Sequence, residues 1–390
     1  MVWILIFYFS GYLLLTGWLY YQWRNLPVFE PGPGHPLVQK ISVIIPVRDE
    51  SANILSLLHD LDRQQDADGN RLPASRMEVL VVDDHSEDET ATLVQNFRPA
   101  HFSLRLLSLH LPKNFSGSHK KLAIAQAIRR ARGEVIVTTD GDCRVPPLWL
   151  QTIGTYMRHK EAVMVSGPVT FDEERSLFEK MQTVEFASLI GTGAACMAAG
   201  YPNMCNGANL AFLKSAFEEV NGYRGSMHIP SGDDEFLLQK MQRRYPGRIF
   251  FLKSAAAVVR TAAQPDLLSF YYQRKRWAGK WKLHKGLMTA LLALFIFSFH
   301  LLLIAGVLMT LSGQLDPLLM PLLLLFKAVS EYALLASVLK LAHKKPTLTN
   351  FMLLQLIYSA YAVFFGIVAN FGGYQWKARK YSNKAKPTQV

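Results

Sequence analysis

Four long apolar stretches flank a polar middle, and this arrangement divides the folding of the chain between two solvents. Residues 1–21 (MVWILIFYFSGYLLLTGWLYY) carry no charge, and a helix of about 20 such residues crosses the hydrocarbon of a bilayer. Trp18, Tyr20, Tyr21 and Trp23 read as an interfacial belt, while the basic start and small-residue cleavage site of a signal peptide are missing. The segment therefore reads as a retained anchor. Three further stretches, 287–311, 317–341 and 351–371, are each near spanning length. Only the middle one holds charges: Lys327 and Glu331, four apart, share a helix face and can neutralise each other. A re-entrant or interfacial helix is the rival reading for it.

The net charge is +12, and basic residues crowd beside the apolar stretches: Arg274, Lys275, Arg276, Lys280, Lys282 and Lys285, then Lys377, Arg379, Lys380, Lys384 and Lys386. That placement suits anionic lipid headgroups better than nucleic acid, which is not expected as a partner. The positive-inside rule puts Arg24 onward, and the polar middle, in the cytoplasm. Three crossings after a cytoplasmic domain would leave the basic tail outside, so the same rule expects one of the four stretches not to cross. The three cysteines, Cys143, Cys196 and Cys205, lack metal-ligand spacing and point to a reduced compartment.

The proline-rich run 27–36 reads as a stiff linker. Beyond it, strands are expected at 41–47, 79–82, 104–107 and 134–139, with helices at 51–61 and 119–131 between them. Ser86 and Glu89 have the spacing of a capping box, and Gly133 that of a helix C-cap. Strands alternating with helices imply a doubly wound, mostly parallel α/β sheet, Rossmann-like in its first half, whose ligands sit beyond the carboxyl ends of the strands. Those ends are acidic: Arg48-Asp49-Glu50, Asp83-Asp84 and Asp140-Gly141-Asp142. Carboxylates gathered there need a cation between them, and hard oxygen donors suit Mg²⁺ or Mn²⁺. We therefore expect Asp83, Asp84, Asp140 and Asp142 to close around one metal that grips a diphosphate, since GxGxxG and Walker A loops are both missing. The bland reading, that acids at strand ends only cap helices or sit in solvated turns, holds better for any one of them than for the set.

Another acidic group, Asp233-Asp234-Glu235, precedes a helical stretch and offers a general base, with an ordinary helix N-terminus as the rival. Gln273-Arg274-Lys275-Arg276-Trp277 joins cations to an indole. This suits a departing diphosphate and a sugar ring, or else a lipid-facing interfacial helix. The small-residue helix expected at 178–199 either lies at the membrane interface or packs closely on a neighbour.

The ordered segments IPVRDE (45–50), VVDDHSEDET (81–90), KKLAIAQAI (120–128), TTDGDC (138–143), CNGANLAF (205–212), SGDDEF (231–236) and QRKRW (273–277) resemble the family 2 glycosyltransferases of GT-A fold. That group contains the cellulose, chitin and hyaluronan synthases and ceramide glucosyltransferase-like enzymes. The resemblance covers about residues 41–280. It implies that Asp83 and Asp84 hold the nucleoside, that Pro46 lines the base, and that Lys120 or Lys121 meets the base or diphosphate. Asp140 and Asp142 match the Asp-x-Asp metal pair, Asp234 the catalytic base, and Gln273, Arg276 and Trp277 the Gln-x-x-Arg-Trp signature. The candidate donor-binding set is Pro46, Val47, Arg48, Glu50, Asp83, Asp84, Lys120 and Asp140.

The expected organisation is a transmembrane anchor at 1–23, a linker at 24–40 and a cytoplasmic GT-A domain at 41–270. An interfacial segment at 271–286, membrane helices making two or three spans at 287–372 and a basic tail at 373–390 follow. The expected activity is inverting transfer of a sugar from a nucleotide diphosphate, a UDP-sugar by resemblance, at the inner (plasma) membrane. The acceptor would be a lipid or a polysaccharide. A processive synthase that exports its product, for which a homo-oligomer is a candidate state, and an inactive scaffold of the same fold are the competing readings.

Overall fold

The computed structural model describes residues 2–32, 39–113, 115, 117–279, 287–345, 347–376 and 379–381, the side chains of 287–289 and 374–381 excepted. Much of the expected linker, Trp281, the basic residues Lys280, Lys282 and Lys285, and most of the basic tail lie outside them. The chain forms two compact units: residues 1–25, 174–195 and 263–383 make one, and 26–173 with 196–262 make the other.

The first unit opens with α1 (Val2–Asn25). Its remaining elements, numbered in chain order, are α6 (Leu177–Ala198), α9 (Leu267–Ala278), α10 (Leu287–Leu311), α11 (Leu319–Leu341), α12 (Leu348–Val368) and the hairpin β10 (Tyr374–Trp376) and β11 (Arg379–Tyr381). Four of these helices, α1 and the three from α10 to α12, are long and apolar enough to cross a membrane. Leu5, Phe9 and Tyr12 of α1 pack on Phe299, Leu303, Leu315 and Met320, while Trp3, Phe7, Leu14 and Leu356 point outward. The charges in α11 are paired as their spacing anticipates. Lys327 Nζ lies 2.8 Å from Glu331 and 2.6 Å from the Gln355 amide oxygen, and Tyr12 donates its hydroxyl to Glu331. A Cβ on Gly191 of α6 would fall 2.9 Å from Val338, so of the two readings for this small-residue helix, close packing is what Gly191 serves.

The second unit is built on a seven-stranded sheet in the order β3-β2-β1-β4-β7-β5-β8. Its strands are β1 (Ile41–Val47), β2 (Met77–Asp83), β3 (Ser103–Ser108), β4 (Val135–Thr138), β5 (Met164–Ser166), β7 (Leu210–Leu213) and β8 (Ile249–Phe251). The helices α2 (Ile54–Asp62), α3 (Thr90–Asn96), α4 (His119–Arg130), α5 (Trp149–His159), α7 (Lys214–Glu219) and α8 (Asp233–Arg244) connect them, and β6 (Val169–Phe171) pairs with β9 (Val259–Thr261). Strands β1 to β4 are parallel and almost wholly buried except for the edge strand β3, as continuous apolar runs covered on both faces should be. Strand β7 runs antiparallel to both β4 and β5.

Strands β2 and β3 lie on one side of β1 and β4 on the other, so the order of connection reverses beside β1, where such sheets open a ligand crevice. Pro46 marks the opening. Ile44 turns its carbonyl to Thr139 N and Val47 turns its carbonyl to Asp84 N, so the alternation aims the donorless nitrogen of Pro46 past the end of β4.

Two local expectations are corrected. Ser86 and Glu89 form no capping box: Ser86 Oγ accepts from Asp49 N, and Asp88 accepts instead from Thr90 N at 3.0 Å. Gly133 is not the helix cap, because α4 ends at Ala131 in an extended conformation. Its lack of a side chain serves close approach, since a Cβ there would meet Ser42 N at 2.6 Å.

Candidate active site

Three acidic segments follow strands of the second unit and a fourth opens α8, each held by hydrogen bonds from local or distant residues. After β1, Asp49 adopts a positive φ of 51° and its carboxylate accepts from Glu87 N at 2.8 Å. The turn throws Arg48 inward, where it is buried and donates to the Asp84 and His85 carbonyls at 3.0 Å and to Glu87 at 2.9 Å. Glu50, also buried, accepts from Asn53 Nδ2 at 2.9 Å. Gly141 faces this residue: a Cβ there would come within 2.9 Å of Val47 and 3.0 Å of Glu50.

After β2, the Asp83 carboxylate accepts from Ser86 N, and the buried Asp84 takes His119 Nδ1 at 2.8 Å and His85 Nδ1 at 3.3 Å. His119 opens α4, and so does the lysine pair whose roles the sequence left open. One residue, about 100° around the helix, separates their fates. Lys121 is buried and donates to the Ser226 and Ile229 carbonyls at 2.9 and 3.0 Å, with its ammonium 4.6 Å from the Phe236 ring centre. Lys120 points to the strand ends, 2.6 Å from Asp140 and 3.5 Å from Asp233.

Asp140 follows β4, and Asp142 accepts from Thr261 Oγ1 at 3.2 Å. Asp233 and Asp234 stand in the first turn of α8, whose N-cap is Gly232 at φ 77° rather than an aspartate. The two oxygens of Asp234 accept from Gly207 N at 3.2 Å and Glu235 N at 2.8 Å. Gly207 is in turn fixed by the sheet, its carbonyl taking the Thr138 hydroxyl at 2.7 Å. Asn209 anchors the same turn by donating to the Pro168 and Ala257 carbonyls and accepting from Trp149 Nε1. A negative field results. Burial opposes the charge of Lys120, yet Asp140, Asp233 and Asp234 outweigh it and raise the lysine pKa. Burial, then Asp142 and Asp140, push the Cys143 thiol up, and burial with Asp233 and Asp234 does the same to the Tyr223 hydroxyl.

The expected four-carboxylate cage is not what forms. Among the described residues no three His, Cys, Asp or Glu side chains gather to hold a metal. The reason is the sheet itself: β1 separates β2 from β4, and two strand spacings put about 10 Å between their ends. The cation that joins carboxylates here is Lys120. The pair it holds, Asp140 with Asp233, includes a residue the sequence had grouped only with the base. Hard oxygen donors meeting a positive charge are the right chemistry for a divalent ion completed by diphosphate oxygens, which needs few protein ligands. His119, Thr261 and the Gly207 amide were also unforeseen. The lysine pair could have betrayed His119, since all three fall in one helical turn, whereas Thr261 had no signal.

In the first unit, Gln273, Arg276 and Trp277 lie on α9 and are each partly exposed. The Trp277 ring stacks 5.7 Å from that of Phe186, and the Arg274 guanidinium lies 4.3 Å from its centre.

The family model described as Glycosyl transferase family group 2 matches residues 135–368, well over half of the chain, and Glycosyl transferase family 2 matches residues 42–220. The chain belongs to glycosyltransferase family 2. Its segments for this family carry all the strand-end acids above. Over 193 residues it is 25% identical to a poly-beta-1,6-N-acetyl-D-glucosamine synthase of Staphylococcus epidermidis, covering 48% of this chain and 43% of that protein. Over 146 residues it is 30% identical to an undecaprenyl-phosphate 4-deoxy-4-formamido-L-arabinose transferase of Klebsiella pneumoniae, covering 37% and 41%. The chain thus spans less than half the length of either relative. In fold it is similar to the mannosyltransferase PcManGT of Pyrobaculum calidifontis in complex with GDP-Man and Mn²⁺. The TM-score is 0.54 and the identity 19%, over 95% of this chain and 96% of that one.

Proposed function

We propose that this glycosyltransferase moves a sugar from a nucleotide diphosphate, a UDP-sugar, to a lipid acceptor in the inner membrane, with inversion at the anomeric carbon. The observation that carries the reading is the cation pinned between Asp140 and Asp233 one residue from Asp234, a carboxylate oriented by two backbone amides. The two ends of the crevice divide the donor: Asp83, Asp84, Pro46, Val47, Arg48 and Glu50 take the nucleoside, and Lys120, Asp140 and Asp142 take the diphosphate. A Mn²⁺ or Mg²⁺ held by Asp140 and Asp142 supplies charge stabilisation to the departing diphosphate. The solved mannosyltransferase of similar fold carries Mn²⁺ with its nucleotide sugar.

Asp234 accepts the proton of the acceptor hydroxyl as that oxygen bonds to the anomeric carbon. The bond from that carbon to the phosphate oxygen breaks in the same displacement, and its electrons leave with the nucleoside diphosphate. Lys120 offsets the charge that develops there, and by the family signature Gln273, Arg276 and Trp277 serve the leaving group and the acceptor. A lipid acceptor is favoured by four helices of spanning length and by the relative named for transfer to undecaprenyl phosphate. Arg24 at the end of α1 favours a sheet unit on the cytoplasmic face. A processive reading draws on the relative named as a polysaccharide synthase, and the length of the labelled product separates the two.

The test is a screen of nucleotide sugars for release of nucleoside diphosphate with Mn²⁺. The Asp234→Asn variant is expected to lose more than about 100-fold in turnover while binding the donor as before, and chelation is expected to abolish release. Undiminished turnover in Asp234→Asn would remove it as the base.

A further inference from the structure

Arg274 is one of the charged residues of the signature helix that the sequence analysis assigned to lipid headgroups, and the structure buries it. Its side chain is 2% exposed, and Nη2 lies 2.6 Å from Glu185 Oε2 of α6, itself 7% exposed. Tyr361 of α12 donates to the other oxygen of Glu185 at 3.0 Å. Two further contacts of the guanidinium fall on the signature and one on Phe270. Nη1 donates to the Gln273 side-chain oxygen, and the guanidinium carbon lies 4.5 and 4.3 Å from the ring centres of Phe270 and Trp277. Phe186, next to Glu185, stacks on Trp277.

We infer that Arg274 and Glu185 form a positioning pair that sets the side-chain orientations of Gln273 and Trp277. An anchor for α9 alone would need only the ion pair. This guanidinium also holds the carboxamide and the indole that the family signature places at the acceptor, so a change in its shape is transmitted to both. Glu185 fixes the guanidinium, and Tyr361 fixes Glu185. A lysine at 274 keeps the charge but lacks the planar fork that serves two acceptors at once while packing on two rings. The inference rests on the transferase reading for Gln273 and Trp277, and its test separates the two.

The full chain in lipid nanodiscs is labelled with 5-fluorotryptophan, and the Trp277 fluorine resonance is assigned by its loss in Trp277→Phe. In Arg274→Lys and in Glu185→Gln that resonance is expected to move or broaden. UDP release from the donor sugar is expected to fall about tenfold or more, with the affinity for UDP and Mn²⁺ within about twofold of native. Tyr361→Phe, which spares the ion pair, is expected to change the same quantities less. A Trp277 resonance at its native position in both Arg274→Lys and Glu185→Gln overturns the inference, whatever the activity. A native protein that turns over no nucleotide sugar overturns the transferase reading instead, and the resonance still decides the pinning. Thermal unfolding of each variant identifies loss of fold, and Glu185→Gln, which keeps size and shape, then carries the test.

Discussion

Lys120 lies between Asp140 and Asp233, which would repel one another without a positive charge between them. An ammonium in that position competes with any divalent ion for the same oxygens. Lys120→Met is therefore expected to bind Mn²⁺ more tightly in the absence of nucleotide, by about tenfold, as calorimetric titration would read. It should nonetheless turn over more slowly, because the developing diphosphate charge loses a partner. Weaker Mn²⁺ binding by the variant would show that the lysine does not occupy the metal's place. At this scale the sequence was legible for residue type and illegible for pairing. That acids end β1, β2 and β4 can be read directly, but which two meet depends on strand order, and order is a property of distant segments. The same limit hid Asp142 on Thr261, a bond 119 positions long.

Between elements, Glu78 is the joint of the parallel half of the sheet. Buried in β2, it accepts from Ser42 Oγ of β1, Arg132 N beyond α4 and Arg105 of β3. Burial alone would raise its pKa, but the bonds from Ser42 and Arg132 and the charge of Arg105 outweigh burial and lower it. A depressed carboxylate stabilises the fold above its unfolded-state pKa of about 4.3, and that contribution is lost as pH falls through the lower folded value. The melting temperature in detergent should therefore drop more steeply from about pH 5 to pH 3 in the native chain than in Glu78→Gln. At neutral pH the variant should be less stable by about 1–3 kcal/mol. Equal slopes would mean that Glu78 is not the titrating joint. The sequence pattern located every strand of this half, most directly β1, β2 and β4, because buried parallel strands are apolar almost throughout. Strand β7 was missed as a strand: its four residues, three of them at the end of CNGANLAF, carry too short a pattern, and its antiparallel direction is fixed only by its two neighbours.

For the molecule as a whole, four apolar helices and the charges within one of them decide how the chain enters a bilayer. Lys327 and Glu331 satisfy each other with help from Tyr12 and Gln355, so each becomes a liability if the other is removed. Lys327→Met and Glu331→Gln are each expected to lower the yield of detergent-stable protein sharply. The double substitution should recover much of it, and the unfolding midpoint measures the coupling at about 1–3 kcal/mol. Additive losses would show that the pair is not coupled. The apolar lengths of these helices were plain from sequence, whereas the parity of crossings was not, because the positive-inside count conflicts with itself.

The antiparallel entry of β7 beside β4 sets Thr138 opposite Leu210, so the acid following one strand and the amide preceding the other share an edge. The ladder between two short strands, and not the chain length separating them, therefore spaces Asp140 from the amide that orients Asp234. Insertions between positions 143 and 205 that leave Trp149, Pro168 and β5 in place would keep that spacing unchanged.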